Sequence, residues 1–428
     1  MKKVFTLFFL LLTLGVAAQS YNNEWIDYSK TYYKFKIGFT GLYRISQPTL
    51  SAAGLGGVSA QNFQLFRNGQ EVPIYTSIPS GVMGSSDYIE FWAQTNDGVP
   101  DKPLYRNPSY QHTTYYSLES DTAVYFLTYT TTTTPFHYSQ PGNNPAASPL
   151  PVEPYLSYTA GGYFHYGVNP GFAQVVGEYI YSSSYDVGEF WSSAPQRPGV
   201  PITDAKNPLY VYSGGPDASI KFGMVGAADN PRSVQVFVNG QVVADTVMNS
   251  FNDLQTSRPV PLSLLSSDAA TMAFLDNSTV TTDRFVVSFY ELTYPRQWNC
   301  GGATNFSFQL PARPAGYLLN ISSLAASSAT PVLYDITNGQ RFPAVVNGGT
   351  LAFALPGSLA PRNLVLVNED PSTAYPVSSL TPKTFVNLTN AANQGNYIII
   401  SNPLLYTGST GNNPVTDYKN YRSSPAGG

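Results

Sequence analysis

Covalent catalysis needs a nucleophile and a base, and this chain offers few of either. Cys300 is its single cysteine, in Trp298-Asn299-Cys300-Gly301-Gly302, and its three histidines, His112, His137 and His165, all lie upstream among tyrosines and threonines. A cysteine nucleophile needs a base, usually histidine, within hydrogen-bond reach. None of these histidines sits in the local sequence of a known Cys–His pair, so Cys300 reads as a small buried apolar residue. One cysteine also excludes an internal disulfide. Glu178, Asp186 and Glu189 share a Tyr-rich segment, where a carboxylate pair for glycoside hydrolysis is conceivable, but nothing in the sequence sets their separation. Asn96-Asp97-Gly98-Val99-Pro100-Asp101 clusters oxygen atoms as a calcium loop does. A complete calcium site takes about 6–8 oxygens, and a plain Asp-Gly turn accounts for the same residues. Tyr163, Tyr166, Tyr179, Tyr181 and Tyr185 are able to line a carbohydrate platform or simply cover a sandwich surface, apolar body inward and polar tip outward. The Asn-x-Ser/Thr triplets at Asn277, Asn305, Asn320 and Asn387 are acceptors only in cells that carry the glycosylation machinery. No catalytic, metal-binding or cofactor-binding residue is assigned from these patterns, and no cofactor is expected.

The elements that hold these residues are read from composition and period. Of 428 residues only 11% are charged, against roughly 25% in an average soluble domain, while 14% are aromatic, led by 32 Tyr. A disordered chain would be poorer in apolar residues and richer in charge. The Lys, Glu, Leu and Ala of helix surfaces give way to Tyr, Thr, Ser, Val, Gly and Pro, which favours strands. A net charge of −4 excludes a generally basic nucleic-acid binder, and no nucleic-acid partner is expected. Lys2-Lys3, the apolar run Val4 to Leu14 and the small residues Val16-Ala17-Ala18 form a signal peptide over residues 1–18. The run is too short for a membrane span of ~20 residues, and no later stretch is long and apolar enough to be one. Export to the periplasm, the outer-membrane surface or the medium is the expectation.

Alternation with period two dominates the chain. Tyr33 to Phe39, Gly41 to Ile45 and Phe63 to Arg67 read as strands, the last closed by the Asn68-Gly69 hairpin signal and followed by Val72-Pro73-Ile74. Ser233 to Val238 and Gln241-Val242-Val243 flank Asn239-Gly240 in the same way. Arg284 to Leu292 is a further strand, expected to stop at Pro295, and Leu262 to Ala270 has room for a helical turn or two. Short strands between Gly, Pro, Asn and Asp turns predict a mainly β protein of tandem antiparallel β-sandwich domains, jelly-roll or Ig-like. Composition places an N-terminal β domain at 19–150, a β-sandwich at 155–298 and a small Ig-like domain at 299–390. The five-Thr run and Pro141-Gly142-Asn143-Asn144-Pro145 form a weakly structured connector between the first two. Strands of the small domain are expected at Val332 to Ile336, Leu351 to Leu355 and Leu364 to Val367.

Residues 395–428 break the pattern. Asn396-Tyr397-Ile398-Ile399-Ile400-Ser401 is the continuous apolar run of a strand buried on both faces of a parallel sheet, and a helix is expected around Pro414 to Ser423. One such strand and one helix have nothing to pack against. The segment is therefore expected to be the start of a truncated α/β domain.

Several segments, in order, resemble the N-terminal half of the gingipain-type cysteine peptidase family, in particular its PorU-like sortases of the type IX secretion system. They are Gly41-Leu42-Tyr43-Arg44-Ile45, Asp87-Tyr88-Ile89-Glu90-Phe91-Trp92, Tyr185-Asp186-Val187-Gly188-Glu189-Phe190-Trp191 and Val238-Asn239-Gly240. Glu291-Leu292-Thr293-Tyr294-Pro295-Arg296, Tyr334-Asp335-Ile336-Thr337 and the run at Asn396, where the family's caspase-like domain opens, complete the set. The resemblance implies a caspase-like cysteine endopeptidase that processes secreted proteins, with protein substrates met by the catalytic domain and envelope components of type IX secretion as partners. It also implies that nucleophile and base lie downstream of this chain. No family catalytic residue is carried over, and Cys300 does not match the nucleophile. The competing reading is a stand-alone cell-surface binding module for a glycan or an envelope protein.

Overall fold

The structure is a computed structural model, and it describes residues 23–427 except 176. The signal peptide expected over residues 1–18 lies outside the described residues. Strands hold 41% of the chain and helices 9%, so the protein is mainly β. Among the described residues no helix is long and apolar enough to cross a membrane. The chain divides into two units, Tyr32–Lys383 with the residues up to Trp25, and Ile26–Thr31 with Thr384–Gly428.

In the first unit, strands pair into facing sheets around separate apolar cores. One sheet runs, in spatial order, Thr381–Lys383, Tyr32–Ile37, Ala123–Tyr129, Phe63–Arg67 and Gln70–Val72. A second runs Tyr375–Pro376, Gly41–Ser46, Tyr88–Ala93 and Tyr75–Thr76, and the core between them includes Phe35, Ile45, Leu65, Phe91 and Leu127. The Asn68-Gly69 turn forms as its sequence demands, with φ of 49° and 78° at its two central residues, the type I′ geometry that matches strand twist. Residues 375–383, assigned from composition to the small third domain, instead complete both sheets of the N-terminal sandwich: Tyr43 pairs with Tyr375 in parallel and Tyr33 with Pro382 antiparallel. Strand edges left open by one part of a chain attract whatever extended segment reaches them.

The central sandwich pairs Asp253–Val260, Ala218–Gly226, Phe285–Arg296 and Leu156–Tyr163 in one sheet. Ile202–Lys206, Ala270–Asp276, Pro231–Val238 and Gln241–Asn249 form the other. Its core gathers Ile220, Phe222, Val236, Phe274, Val287 and Leu292. At the Asn239-Gly240 turn the Asn239 amide donates to Leu264 O and Ala269 O and accepts from Thr271 N, which ties the hairpin to the short 3₁₀ segment Leu262–Leu265. The Phe285–Arg296 strand does not stop at Pro295. The neighbouring Ala218–Gly226 strand last pairs at Ser219↔Thr293, so the N–H that Pro295 lacks faces a side that strand has already left. Only the Pro295 carbonyl is used there, by Tyr212 N at 2.9 Å.

The third sandwich sets Asn305–Leu310, Arg362–Val367, Val332–Asp335 and Gln340–Pro343 against Tyr317–Ile321, Thr350–Leu355 and Val345–Asn347. The 130–154 connector holds no strand, yet it is fixed along this domain. The Asn143 amide donates to Pro343 O and Ala352 O and accepts from Ala354 N.

The second unit carries little regular structure. The helix expected near Pro414 forms over Pro414–Arg422, with Asn413 capping Thr416 N at 3.0 Å and Pro in the first turn, where its missing N–H costs nothing. The strand expected over Asn396–Ser401 does not form: these residues are irregular, and Ile398 and Ile400 are 84% and 95% exposed. An apolar run becomes a buried parallel strand only when neighbouring strands and covering helices exist to receive it.

Candidate functional site

The excursion between the Tyr88–Ala93 and Ala123–Tyr129 strands carries many of the residues whose chemistry the sequence raised, and it docks on the central sandwich. Its anchor is His112, which is buried. His112 Nδ1 lies 2.7 Å from Ser288 Oγ and Nε2 lies 3.1 Å from Asp253 Oδ2, a Ser–His–Asp chain whose members are far apart in sequence. The ring stacks on Phe190 with centroids 4.1 Å apart.

Local backbone geometry explains how Ser288 comes to face the ring. Gly223 pairs with Phe289 and Met224 with Val287, so Ser288 is the extra residue of a β-bulge. A Cβ on Gly223 would stand 2.6 Å from His112 Nδ1 and 2.7 Å from Ser288 Oγ, so only glycine admits the pair. The one hydroxyl proton of Ser288 has two acceptors, His112 Nδ1 and Gly223 O at 3.0 Å. Burial pulls the imidazole below its usual pKa, against the partly exposed Asp253 carboxylate, which pulls it up. A neutral ring with Nε2–H donated to Asp253 and Nδ1 accepting from Ser288 fits both neighbours.

The arrangement has the order of a nucleophilic triad but not its setting. Ser288 is 1% exposed. The cavity it lines, with Tyr116, Tyr163, Phe190 and Trp191, measures about 10 Å³, room for roughly one water. A substrate carbonyl cannot reach the hydroxyl, so the chain of hydrogen bonds acts as a clasp between the excursion and the bulged strand.

Most of the remaining candidates are also spent on structure. His165 packs tilted against Trp191 and Tyr116 with centroids 3.8 and 4.3 Å apart, and His137 Nε2 lies 2.9 Å from Phe63 O. Asp97 accepts from Arg67 and from Val99 N, and Asp101 from Ser117 Oγ and Leu118 N, so both carboxylates of the calcium-like loop are occupied by protein donors. Among the described residues no group of three or more His, Cys, Asp and Glu is placed to hold a metal ion. Asp186 pairs with Arg106 and accepts from Ser182, while Glu189 accepts from Asp186 N, so the two close one turn. Glu178 stands apart on the exposed strand Glu178–Tyr181, which pairs with Phe172–Val175. The tyrosines divide: Tyr163 stacks on Tyr115 at 3.9 Å and donates to Glu291, and Tyr185 donates to Glu119, while Tyr166 and Tyr181 are 77% and 69% exposed.

Cys300 is buried in the core of the third sandwich with Leu156, Trp298 and Phe306, and burial pushes its thiol up to about 12. A thiol so placed is protonated at neutral pH and inert. The nearby Tyr294-Pro295-Arg296 is a joint. The Arg296 guanidinium lies over the rings of Tyr158, Tyr210 and Phe306 and donates to Leu209 O and Asn299 O, bridging the second and third sandwiches.

No family model matches the sequence, and no curated protein matches it. Among solved structures the chain is similar to dimeric latent PorU from Porphyromonas gingivalis, at 15% identity and a TM-score of 0.52 over 82% of this chain. The match takes in 33% of the PorU chain, so this chain spans about a third of the length of that structure. Part of the chain, 32%, also matches 98% of a carbohydrate-binding module CBM36 in complex with calcium and xylotriose, at 10% identity and a TM-score of 0.21. The first likeness is one of fold; the second is too slight to carry an argument.

Proposed function

We propose that this chain is the non-catalytic β-rich portion of an exported gingipain-like cysteine endopeptidase or sortase, which supports a caspase-like catalytic domain encoded beyond it. The observation that carries this reading is the fold shared with PorU over 82% of the chain, joined to the ordered set of PorU-like segments in the sequence. The fate of the reactive groups supports it: Cys300 is buried and held protonated, and the Ser288 clasp has no room for substrate. In this reading protein substrates belong to the catalytic domain, and envelope components of type IX secretion are partners of the whole. The test is in two arms. The gene read past codon 428 is expected to continue in frame into a caspase-like domain, and the purified chain is expected to show no thiol-dependent cleavage of Arg-, Lys- or Ala-containing peptides. A stop codon directly after Gly428 in an intact genome, or thiol-dependent turnover by the pure chain, overturns the reading.

A second reading, a surface module that binds glycan or an envelope protein, is favoured by the exposed rings of Tyr166 and Tyr181. Aromatic faces of this kind stack on sugar rings. Saturable binding of a soluble glycan that is lost in Tyr166→Ala and Tyr181→Ala would support it.

A further inference from the structure

A buried cluster outside the His112 clasp joins the first sandwich to the third. Glu90, on the Tyr88–Ala93 strand, is fully buried. Its Oε2 accepts from Arg44 Nε at 2.6 Å, and its Oε1 lies 2.6 Å from the hydroxyl of Tyr334 in the third sandwich. The same hydroxyl lies 2.9 Å from Glu369 Oε1. Arg341 Nε donates into the phenol oxygen at 3.1 Å, and Arg341 Nη2 donates to Glu369 Oε2 at 2.5 Å.

Counting protons in this cluster exposes a conflict. Tyr334 has one hydroxyl hydrogen, and two carboxyl oxygens face it. If both glutamates are ionised, the phenol donates to one and its oxygen meets the other without a proton between them. If one glutamate carries a proton, it donates to the phenol oxygen, which also accepts from Arg341, and the phenol donates to the other glutamate. Every contact is then satisfied.

We propose that the assembled joint binds one proton, shared along Glu90–Tyr334–Glu369, so that mildly acid conditions clamp the first sandwich to the third and alkaline conditions loosen the clamp. The charged and titratable groups facing Glu90 are consistent with this. Arg44 on the adjacent strand is the direct counter-ion and lies over the Tyr88 ring, and Arg341 is stacked over Tyr75 and committed to Glu369. Tyr138 packs on Tyr334 with ring centroids 4.7 Å apart, and the nearby Asp335 is already paired with Arg362. Burial, with the Glu369 carboxylate beside it, pushes Glu90 from 4.5 up to about 7. A carboxyl whose pKa is higher folded than unfolded stabilises fully below the unfolded value. That contribution falls as pH rises from 4.5 and is gone once pH passes about 7.

Glu90→Gln is the decisive variant, because a glutamine does what the protonated acid does: its oxygen accepts from Arg44 and its amide donates to Tyr334. Urea unfolding of the full chain is followed between pH 5 and 8.5. The unfolding constant of the parent is expected to carry a component that rises by up to about tenfold per pH unit between pH 5 and 7, absent from E90Q. Infrared spectra of the parent at pH 6 are expected to show a protonated-carboxyl band that is lost by pH 9. Because burial also raises Asp276 and Glu189, the parent-minus-E90Q difference assigns it. Identical pH slopes in parent and variant overturn the proposal. If E90Q fails to fold, Glu369→Gln, whose amide can donate to the phenol oxygen in place of the shared proton, replaces it in the difference, and no band at pH 6 in the parent is equally fatal.

Discussion

The His112 clasp and the Glu90 joint are both buried polar clusters that attach one part of the chain to another, and they respond to pH in opposite directions. At the clasp a base is kept neutral: burial pulls His112 below its usual pKa against the opposing pull of the Asp253 carboxylate. At the joint an acid holds its proton, because two carboxylates and one phenol cannot all be satisfied without it. The clasp therefore loses stability as pH falls below about 6.5, and the joint as pH rises from about 4.5 toward 7. Burial favours the uncharged form in both places, and the sign of the pH effect differs because the uncharged imidazole is the deprotonated form whereas the uncharged carboxyl is the protonated one.

The largest effect is expected at the joint. Arg341→Met removes the cation that holds Glu369, bridges to Tyr334 and lies over Tyr75, leaving two buried carboxyls with Arg44 alone. Removing one partner of a buried pair costs about 3–5 kcal/mol, read as a fall in the urea midpoint with the slope unchanged. A loss below about 1 kcal/mol would mean that the third sandwich is attached by apolar contacts such as those of Leu42, Trp92 and Val365 rather than by the ion cluster.

At the clasp the corresponding break is steric. Gly223→Ala drives a methyl group to 2.6 Å from His112 Nδ1, and neither the bulged strand nor the stacked ring has slack to receive it. Overpacking of this kind costs about 1–3 kcal/mol. Loss of the clasp should also free the excursion, seen as new protease cleavage between residues 94 and 122. Unchanged proteolysis would show that the excursion is held mainly by Trp191 Nε1 on Ser117 O and Tyr105 on Glu189 O.

Cys300 separates the two clusters from a site with no polar role. Its thiol is buried in an apolar cluster, and the nearby Arg296 offsets burial only in part, so in the native chain it should resist a thiol reagent at pH 8 and react only after unfolding. Cys300→Ser buries a hydroxyl in that setting and should cost about 1–2 kcal/mol. Rapid labelling of the folded protein would contradict the burial.

Sequence legibility follows the range of the interaction. The hairpins at Asn68-Gly69 and Asn239-Gly240 were plain because a positive φ at two adjacent residues has a local signature, and the strands beside them follow from alternation. The Pro414–Arg422 helix is legible in the helical spacing of Tyr418, Tyr421 and Arg422. The strand expected at Asn396–Ser401 does not form, because an apolar run states a preference for burial without supplying the partners that provide it. The clasp left no local trace at all: His112, Asp253 and Ser288 come from three distant segments, and the bulge that turns Ser288 inward depends on a register shift between two strands. Arg44, Glu90 and Tyr334 stood in the segments that carry the PorU-like resemblance, but nothing in their spacing revealed that they meet.

The smallest expected effect is the one that separates a clasp from a triad. Ser288→Ala removes a hydroxyl from a cavity with room for about one water, and a water entering there can serve His112 Nδ1 and Gly223 O in its place. The cost should be near the net value of one hydrogen bond, about 1 kcal/mol. Burial and Asp253 set the direction of the His112 shift and both remain in the variant, so the loss of stability below about pH 6.5 should keep its slope in S288A. Turnover of an activated ester and labelling by a serine-directed fluorophosphonate should be equally absent from both. Labelling of the parent that disappears in S288A would show that the hydroxyl is reachable after all, and would turn the clasp into a working nucleophile.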